Sequence, residues 1–258
     1  MSELRLNVTL ADRSVEVLWI APRTAGGPTL VLLHEGLGSI GLWRDFPQAL
    51  AERTGLAVLA WSRYGYGKSE VLDGPRQTDY LHREATEALP ELLEAFNVED
   101  PILVGHSDGA TIAIIYAGSG LGEPRRLVLM APHVFVEESN LEGIRGIVET
   151  FRSGDLGNRM AAYHHDPERT FFGWADVWLS PAFRDWNIED GLPRIGAPTL
   201  LIQGRQDEYA GIEQIDAIEK GMTGAQVTRL LLDDCRHSPH FDQREKVLAA
   251  ISDFIAST

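Results

Sequence analysis

The stretch Pro101-Ile102-Leu103-Val104-Gly105-His106-Ser107-Asp108-Gly109, running on through the apolar segment Ala110–Ala117, decides how this chain is read. Four apolar residues in a row suit a strand buried on both faces. The apolar run that follows suits a helix. Between them stands G-x-S-x-G, a turn so sharp that its flanking positions must be small and its serine must project from the strand end. The backbone N–H groups at the start of the helix then point at whatever oxygen develops negative charge beside the serine. In that strand-turn-helix setting Ser107 reads as a nucleophile. A glycine-rich turn whose serine caps a helix is the plainer alternative.

A hydroxyl is a poor nucleophile until a base removes its proton. Two histidines offer themselves downstream, in Cys235-Arg236-His237-Ser238-Pro239-His240. His237 comes first after the apolar run Val227–Leu232 and is the favoured base. His240, followed by Phe241 and Asp242, is expected to open the last helix. The acid that orients the base is expected in Gly204-Arg205-Gln206-Asp207-Glu208, after the run PTLLIQ. Asp207 is preferred, with Glu208 as the competitor and a solvated loop charge as its alternative role. The order Ser, Asp, His is one of several in which this constellation occurs. A zinc site from Cys235, His237, His240 and Asp242 matches no familiar spacing, so no metal is expected.

Outward from the elbow, short apolar runs recur at Thr29–Leu33, Leu56–Trp61, Leu127–Met130 and Pro198–Ile202, each bounded by Gly, Pro or polar residues. Leu4–Leu10 and Val15–Ile20 alternate more, as antiparallel edge strands do. Helical spacing appears over Tyr80–Phe96, with Pro90 expected to kink it or to start a new turn, and over Gln243–Ile255. Alternating strands and helices predict an α/β fold with a mostly parallel sheet and right-handed crossovers. From His133 to Pro193 no strand is evident and aromatic residues crowd. This segment is expected to be a helical cap over one end of the sheet, with the core formed by 1–133 and 193–258 and the cap by 134–192. Phe135, Trp174 and Trp178 are candidate pocket walls, and His133, just past LVLM, is placed at the sheet end where ligands bind.

Four loops carry a family resemblance. His34-Glu35-Gly36-Leu37-Gly38-Ser39 resembles the H-G-x-x-G oxyanion loop of α/β-hydrolases, and Ser62–Ser69 (SRYGYGKS) resembles their D-x-R-G-x-G-x-S loop. GHSDG resembles their elbow, and Cys235–Gln243 their catalytic-histidine loop. The resemblance implies the α/β-hydrolase fold with a helical cap, and a serine hydrolase with Ser107, Asp207 and His237 as triad. It also implies an oxyanion hole from the backbone N–H groups of Gly36 and Asp108. Glu35 stands where the family usually has glycine. Esters are the expected substrates. A C–C bond hydrolase acting on diketone-like compounds, or a low-turnover small-molecule receptor, are the alternatives, since all three use the same site. A dehalogenase would carry a carboxylate at position 107. GHSDG also resembles the elbow of hydrolases that cleave amino-acid esters, which raises a substrate ammonium as the partner of Asp108 or Glu35. A helix N-terminus for Asp108 and a loop hydrogen bond for Glu35 are the plainer partners.

Composition narrows the field further. The chain has 258 residues, 44% hydrophobic and 24% charged, with a net charge of −15. That charge argues against nucleic acid and against an anionic membrane surface. There is one cysteine, Cys235, and no apolar run follows Met1-Ser2-Glu3-Leu4-Arg5. A cytoplasmic protein without a secretory signal is therefore expected, as a monomer or homodimer acting on a small molecule. Gly67-Lys68-Ser69 mimics the end of a phosphate loop, but the first glycine that loop requires is Ser62, so no nucleotide and no cofactor is expected.

Overall fold

The computed structural model describes residues 1–257. Eight strands form one sheet in the order β1-β2-β4-β3-β5-β6-β7-β8. They are β1 (Glu3–Leu10), β2 (Arg13–Ile20), β3 (Thr29–Leu33), β4 (Ala57–Ser62), β5 (Pro101–His106), β6 (Arg126–Met130), β7 (Thr199–Gly204) and β8 (Val227–Leu232). β1 and β2 are antiparallel, and β2 meets β4 antiparallel. Every other pairing is parallel. The expected α/β-hydrolase sheet is therefore present.

The central strands are apolar throughout because both faces are covered. In β3, Val31 and Leu33 face one core while Leu30 and Leu32 face the other. β5 does the same with Leu103 against Ile102 and Val104. One face is covered by α1 (Phe46–Thr54) and the C-terminal helix, through Phe46 and Leu50 and through Val247, Leu248 and Ile251. The other is covered by α2 (Tyr80–Arg83), α3 (Leu89–Ala95) and α4 (Asp108–Ser119). A π turn over Glu84–Ala88 joins α2 to α3. Pro90 follows closely on this π turn, whose wider hydrogen-bond spacing accommodates a residue without an N–H.

Between β6 and β7 the chain builds α5 (Glu138–Arg152), α6 (Asp155–Met160) and α7 (Pro167–Trp178). Asp166 caps α7 by accepting the Arg169 N–H at 3.0 Å, with Pro167 in the first turn. The two ends of this segment run side by side: Phe135 bridges Asn187, and Ile188 N–H donates to the Val134 carbonyl at 2.8 Å. After β7 come α8 (Ile212–Gly221), β8, a short α9 (Pro239–Asp242) and α10 (Arg244–Ala256). His240 lies in α9, ahead of the last helix rather than at its start. Among the described residues no helix is long and apolar enough to cross a membrane.

The chain passes from β3 to one side of the sheet and returns as β5 on the other, so the strand order reverses between these two neighbours. Loops leaving their carboxyl ends part there and open a crevice. The segments Glu35–Gly38 and Ser107–Gly109 stand on its two sides.

Candidate active site

Ser107 adopts φ 53° and ψ −119°, a left-handed backbone that a side chain seldom takes. Its neighbours make the turn possible. A Cβ on Gly105 would lie 2.5 Å from the backbone of Ala110, and one on Gly109 would lie 1.9 Å from the Leu33 carbonyl oxygen. The Ser107 N–H donates to the Met130 carbonyl at 2.9 Å, and its own carbonyl accepts the Thr111 N–H at 3.0 Å. The turn is thereby fixed to the next strand and to α4, and the side chain is left to face the crevice.

His237 reaches Ser107 from the loop after β8. That loop lies directly on the end of β7, where a Cβ on Gly204 would meet the Cys235 and Arg236 carbonyls at 2.3 Å. It is held by the Cys235 N–H to Gln206 Oε1 (3.0 Å) and by the Arg236 N–H to Asp242 Oδ2 (2.8 Å). His237 Nε2 stands 3.0 Å from Ser107 Oγ, and its Nδ1 stands 2.8 and 2.9 Å from the two oxygens of Asp207. Asp207 in turn accepts the N–H groups of Tyr209 (2.8 Å) and Ala210 (3.0 Å) and the Gln203 amide (2.8 Å). Burial pushes the Asp207 carboxyl up, but His237 and these donors outweigh it and hold the group below its ordinary range. Burial alone would depress the His237 imidazole; the charge and hydrogen bond of Asp207 prevail and raise it.

The structure therefore brings Ser107, His237 and Asp207 into one hydrogen-bonded line. The rival residues stand elsewhere. His240 packs its ring against Trp43 and Phe46, at 4.9 and 5.4 Å between centroids, and burial holds it neutral. Glu208 pairs with Arg236 at 3.0 Å near the surface. Cys235 is buried, and burial pushes its thiol up to about 11. Among the described residues no group of three or more His, Cys, Asp or Glu could hold a metal ion.

Beside Ser107 opens a cavity of about 150 Å³. Gly36 and Asp108 line it, and among the described residues neither backbone N–H has an acceptor. Asp108 is the first residue of α4, where an N–H has no partner within the helix. The loop carrying Gly36 is stapled from below by Arg63, which donates to the His34 carbonyl at 2.5 Å and to the Glu35 carbonyl at 3.1 Å. His34 completes the staple: its Nε2 accepts the Arg63 N–H, and its Nδ1 donates to the Glu35 carbonyl.

Of the four residues expected to form pocket walls beyond Glu35, three do so. His133, Trp174 and Trp178 line the cavity. Phe135 does not: its backbone is used in the bridge to Asn187, its carbonyl accepts from Gln214, and its half-buried ring packs on the core away from the cavity. Its place is taken by Ile144 and Ile147 of α5, with Leu37 from the oxyanion-type loop. Those isoleucines follow helical spacing within a polar-faced helix, a signal for the inner stripe of α5 that could have identified them. Tyr209 and Asn140 also line the cavity, and nothing local in the sequence marks them.

Both carboxylates beside the cavity have partners within the chain. Asp108 accepts the Tyr80 hydroxyl at 2.5 Å and lies 4.0 Å from Arg63, all three being buried. Tyr80 is itself held by the Trp178 indole N–H at 3.0 Å. Burial raises the Asp108 carboxyl, partly countered by Arg63 and Tyr80. Glu35 Oε2 stands 3.4 Å from His106 Nδ1. Burial works against its ionisation as well, but His106 outweighs it, and the carboxyl is held below its ordinary range.

Comparison with known proteins agrees with this architecture. The chain is 24% identical over 242 residues to a human protein named serine hydrolase BPHL, covering 90% of this chain and 81% of that one. It is 26% identical over 262 residues to a 2-hydroxy-6-oxononadienedioate/2-hydroxy-6-oxononatrienedioate hydrolase of Paraburkholderia xenovorans, covering 90% and 88%. The crystal structure of MGS-M2, an alpha/beta hydrolase enzyme from a Medee basin deep-sea metagenome library, superimposes with a TM-score of 0.76 at 16% identity over 98% of both chains. The model of the Alpha/beta hydrolase family matches residues 30–250, and with the sheet order and the sharp turn at Ser107 it shows that this chain belongs to that family of hydrolases.

Proposed function

We propose that this hydrolase cleaves carboxylic esters of small, largely apolar acyl groups through an acyl-enzyme on Ser107. The observation that carries the reading is the unbroken line Asp207–His237–Ser107, ending at two unpaired N–H groups on an apolar cavity. His237 accepts the serine proton as Oγ attacks the ester carbonyl, and Asp207 stabilises the imidazolium that results. The oxyanion forms against the N–H groups of Gly36 and Asp108, each such donor lowering the barrier by about 3 kcal/mol. Collapse expels the alcohol, which takes its proton from His237. Water then attacks the acyl-enzyme by the same route, releasing the acid and restoring Ser107. Residues 134–192 act as the lid that supplies Ile144, Trp174 and Trp178 to the acyl site.

The cavity also speaks to substrate charge. Asp108 and Glu35 are its charged residues, and among its lining residues there is no Lys or Arg. A dianion of the kind named for the Paraburkholderia relative would meet two carboxylates already partnered within the chain and no Lys or Arg on the cavity wall to pair with its own charges. Because Asp108 is engaged by Tyr80 and Glu35 faces His106, the site has no need of a substrate ammonium either. Reaction of the intact protein with a fluorophosphonate followed by mass mapping tests the nucleophile, with label expected on Ser107. A panel of simple esters and vinylogous diketones tests the bond. Turnover of the diketones without the esters would overturn the ester reading.

A further inference from the structure

His106 precedes the nucleophile and ends β5, yet its side chain turns away from Ser107. It is 1% exposed. Its Nε2 lies 2.7 Å from the carbonyl oxygen of His237, and its Nδ1 lies 3.4 Å from Glu35 Oε2. A carbonyl oxygen only accepts, so Nε2 carries a proton. A neutral ring would then turn the lone pair of the buried Nδ1 toward a carboxylate oxygen, like charge against like. The other buried histidines are differently placed. His34 and His164 each have one ring nitrogen that accepts a backbone N–H, from Arg63 and Gly67, and so are neutral by geometry. His133 has one acceptor, the Tyr209 carbonyl, and an unpartnered Nδ1. His106 Nδ1 makes no hydrogen bond either, but His106 alone among these has a carboxylate oxygen, Glu35 Oε2, within ion-pair distance of that nitrogen without being in the line to Ser107.

We propose that His106 stands as an imidazolium paired with Glu35, and that its second N–H positions the backbone of His237. The pair joins three loops that must keep register for catalysis: the oxyanion-type loop through Glu35, the elbow through His106, and the base loop through the His237 carbonyl. It also answers the charge that Glu35 brings to a place where the family resemblance expects glycine. An unpaired carboxylate there would oppose the oxyanion and favour the protonated form of His237. Paired, its field is largely cancelled. His106 is a positioning residue in this account; it does not touch the substrate. The groups that face it are Glu35 from the loop after β3, with His34 acting on that carboxylate, His237 with Asp207 behind it, His240 from α9, and His133 from the end of β6. His34, His240 and His133 are all held below the ordinary imidazole range by burial, so none supplies a competing positive charge at neutral pH.

The kinetic part of this inference rests on His237 being the base; the protonation state does not. Nitrogen-15 NMR of histidine-labelled protein at pH 7 should show, apart from the signal of His237, one buried ring protonated at both nitrogens. That ring's signal should vanish in His106→Gln and convert to a neutral ring in Glu35→Gln. In kcat/KM profiles, His106→Gln, which leaves Glu35 unpaired, should move the acidic limb up by roughly half a pH unit or more. Glu35→Gln should not move it up, and the double variant should return to the wild-type position. A residue that only fills space would give no such opposition. A neutral His106 in the wild-type protein, or a limb unmoved in His106→Gln, overturns the proposal. If His106→Gln does not fold, conversion of the doubly protonated ring by Glu35→Gln decides alone. Failure of Ser107 to take a fluorophosphonate would instead overturn the hydrolytic reading and leave the NMR result standing.

Discussion

The indole of Trp174 closes over Gly36 so tightly that a Cβ at position 36 would sit 2.2 Å from Trp174 Nε1. Helix α7 thus rests directly on the loop proposed to offer an N–H to the oxyanion, and the smallest residue in the chain lies at the contact. Gly36→Ala must displace either the indole or the loop. We expect kcat/KM for a simple ester to fall by about tenfold or more, with kcat bearing the larger part, while the thermal midpoint changes little. Steady-state kinetics beside a thermal melt checks this.

Ser107→Ala and His237→Ala should each remove nearly all ester hydrolysis, by about 10⁴-fold or more, and the double variant should be little worse than either. Independent, multiplying losses in the double variant would show that the two side chains do not act together.

The acidic limb of the kcat/KM profile should lie above the ordinary imidazole value of 6.5, because Asp207 raises His237. The sign follows from the chemistry: the base works when neutral, so activity is lost as pH falls through its raised pKa, about tenfold per unit below it. Asp207→Asn removes the cause of the elevation, so the limb should move to lower pH while the plateau falls by about 10⁴-fold. A limb that stays in place in Asp207→Asn would contradict the assignment of that carboxylate.

Cys235 should be inert. Its thiol is buried and its pKa is pushed up to about 11, so little thiolate exists near neutrality. Iodoacetamide at pH 8 should leave the folded protein unmodified, and Cys235→Ser should keep most of its activity. Inactivation by alkylation at that site would reopen a thiol mechanism.

What could be seen in the sequence was the part governed by local rules. Thr29–Leu33 and Val227–Leu232 are strands at the residues expected, because a short apolar run between turn formers has few other uses. The elbow was legible because two glycines and a serine at fixed offsets leave one geometry. The preference for His237 over His240 rested on which residue follows the strand first, and the structure separates them by burying His240 between Trp43 and Phe46. The supporting shell was not legible. Tyr80 and Arg63 reach Asp108 from elements 28 and 45 residues away in the chain, and no period or motif links such positions. His106 was quoted as part of the elbow, but only the placement of Glu35 and the His237 carbonyl gives its side chain a task. Phe135 was misplaced because an aromatic residue near a strand end fits a pocket wall and a packed hinge equally well.

That hinge has a wider consequence. Val134 to Phe135 and Asn187 to Ile188 leave and rejoin the body of the protein as adjacent strokes of chain, tied to each other by a bridge and a backbone hydrogen bond. Everything distal to them can lengthen, shorten or be replaced without altering the spacing of β6 and β7, which pair through their own register. The side chains of the apolar cavity wall are carried mostly on that segment, whereas Ser107, Asp207 and His237 stand in the loops that follow β5, β7 and β8. Change there can therefore reshape the apolar wall of the cavity while leaving the line of Ser107, His237 and Asp207 in place, provided the contacts of Trp174 and Trp178 with the loops beneath them are kept.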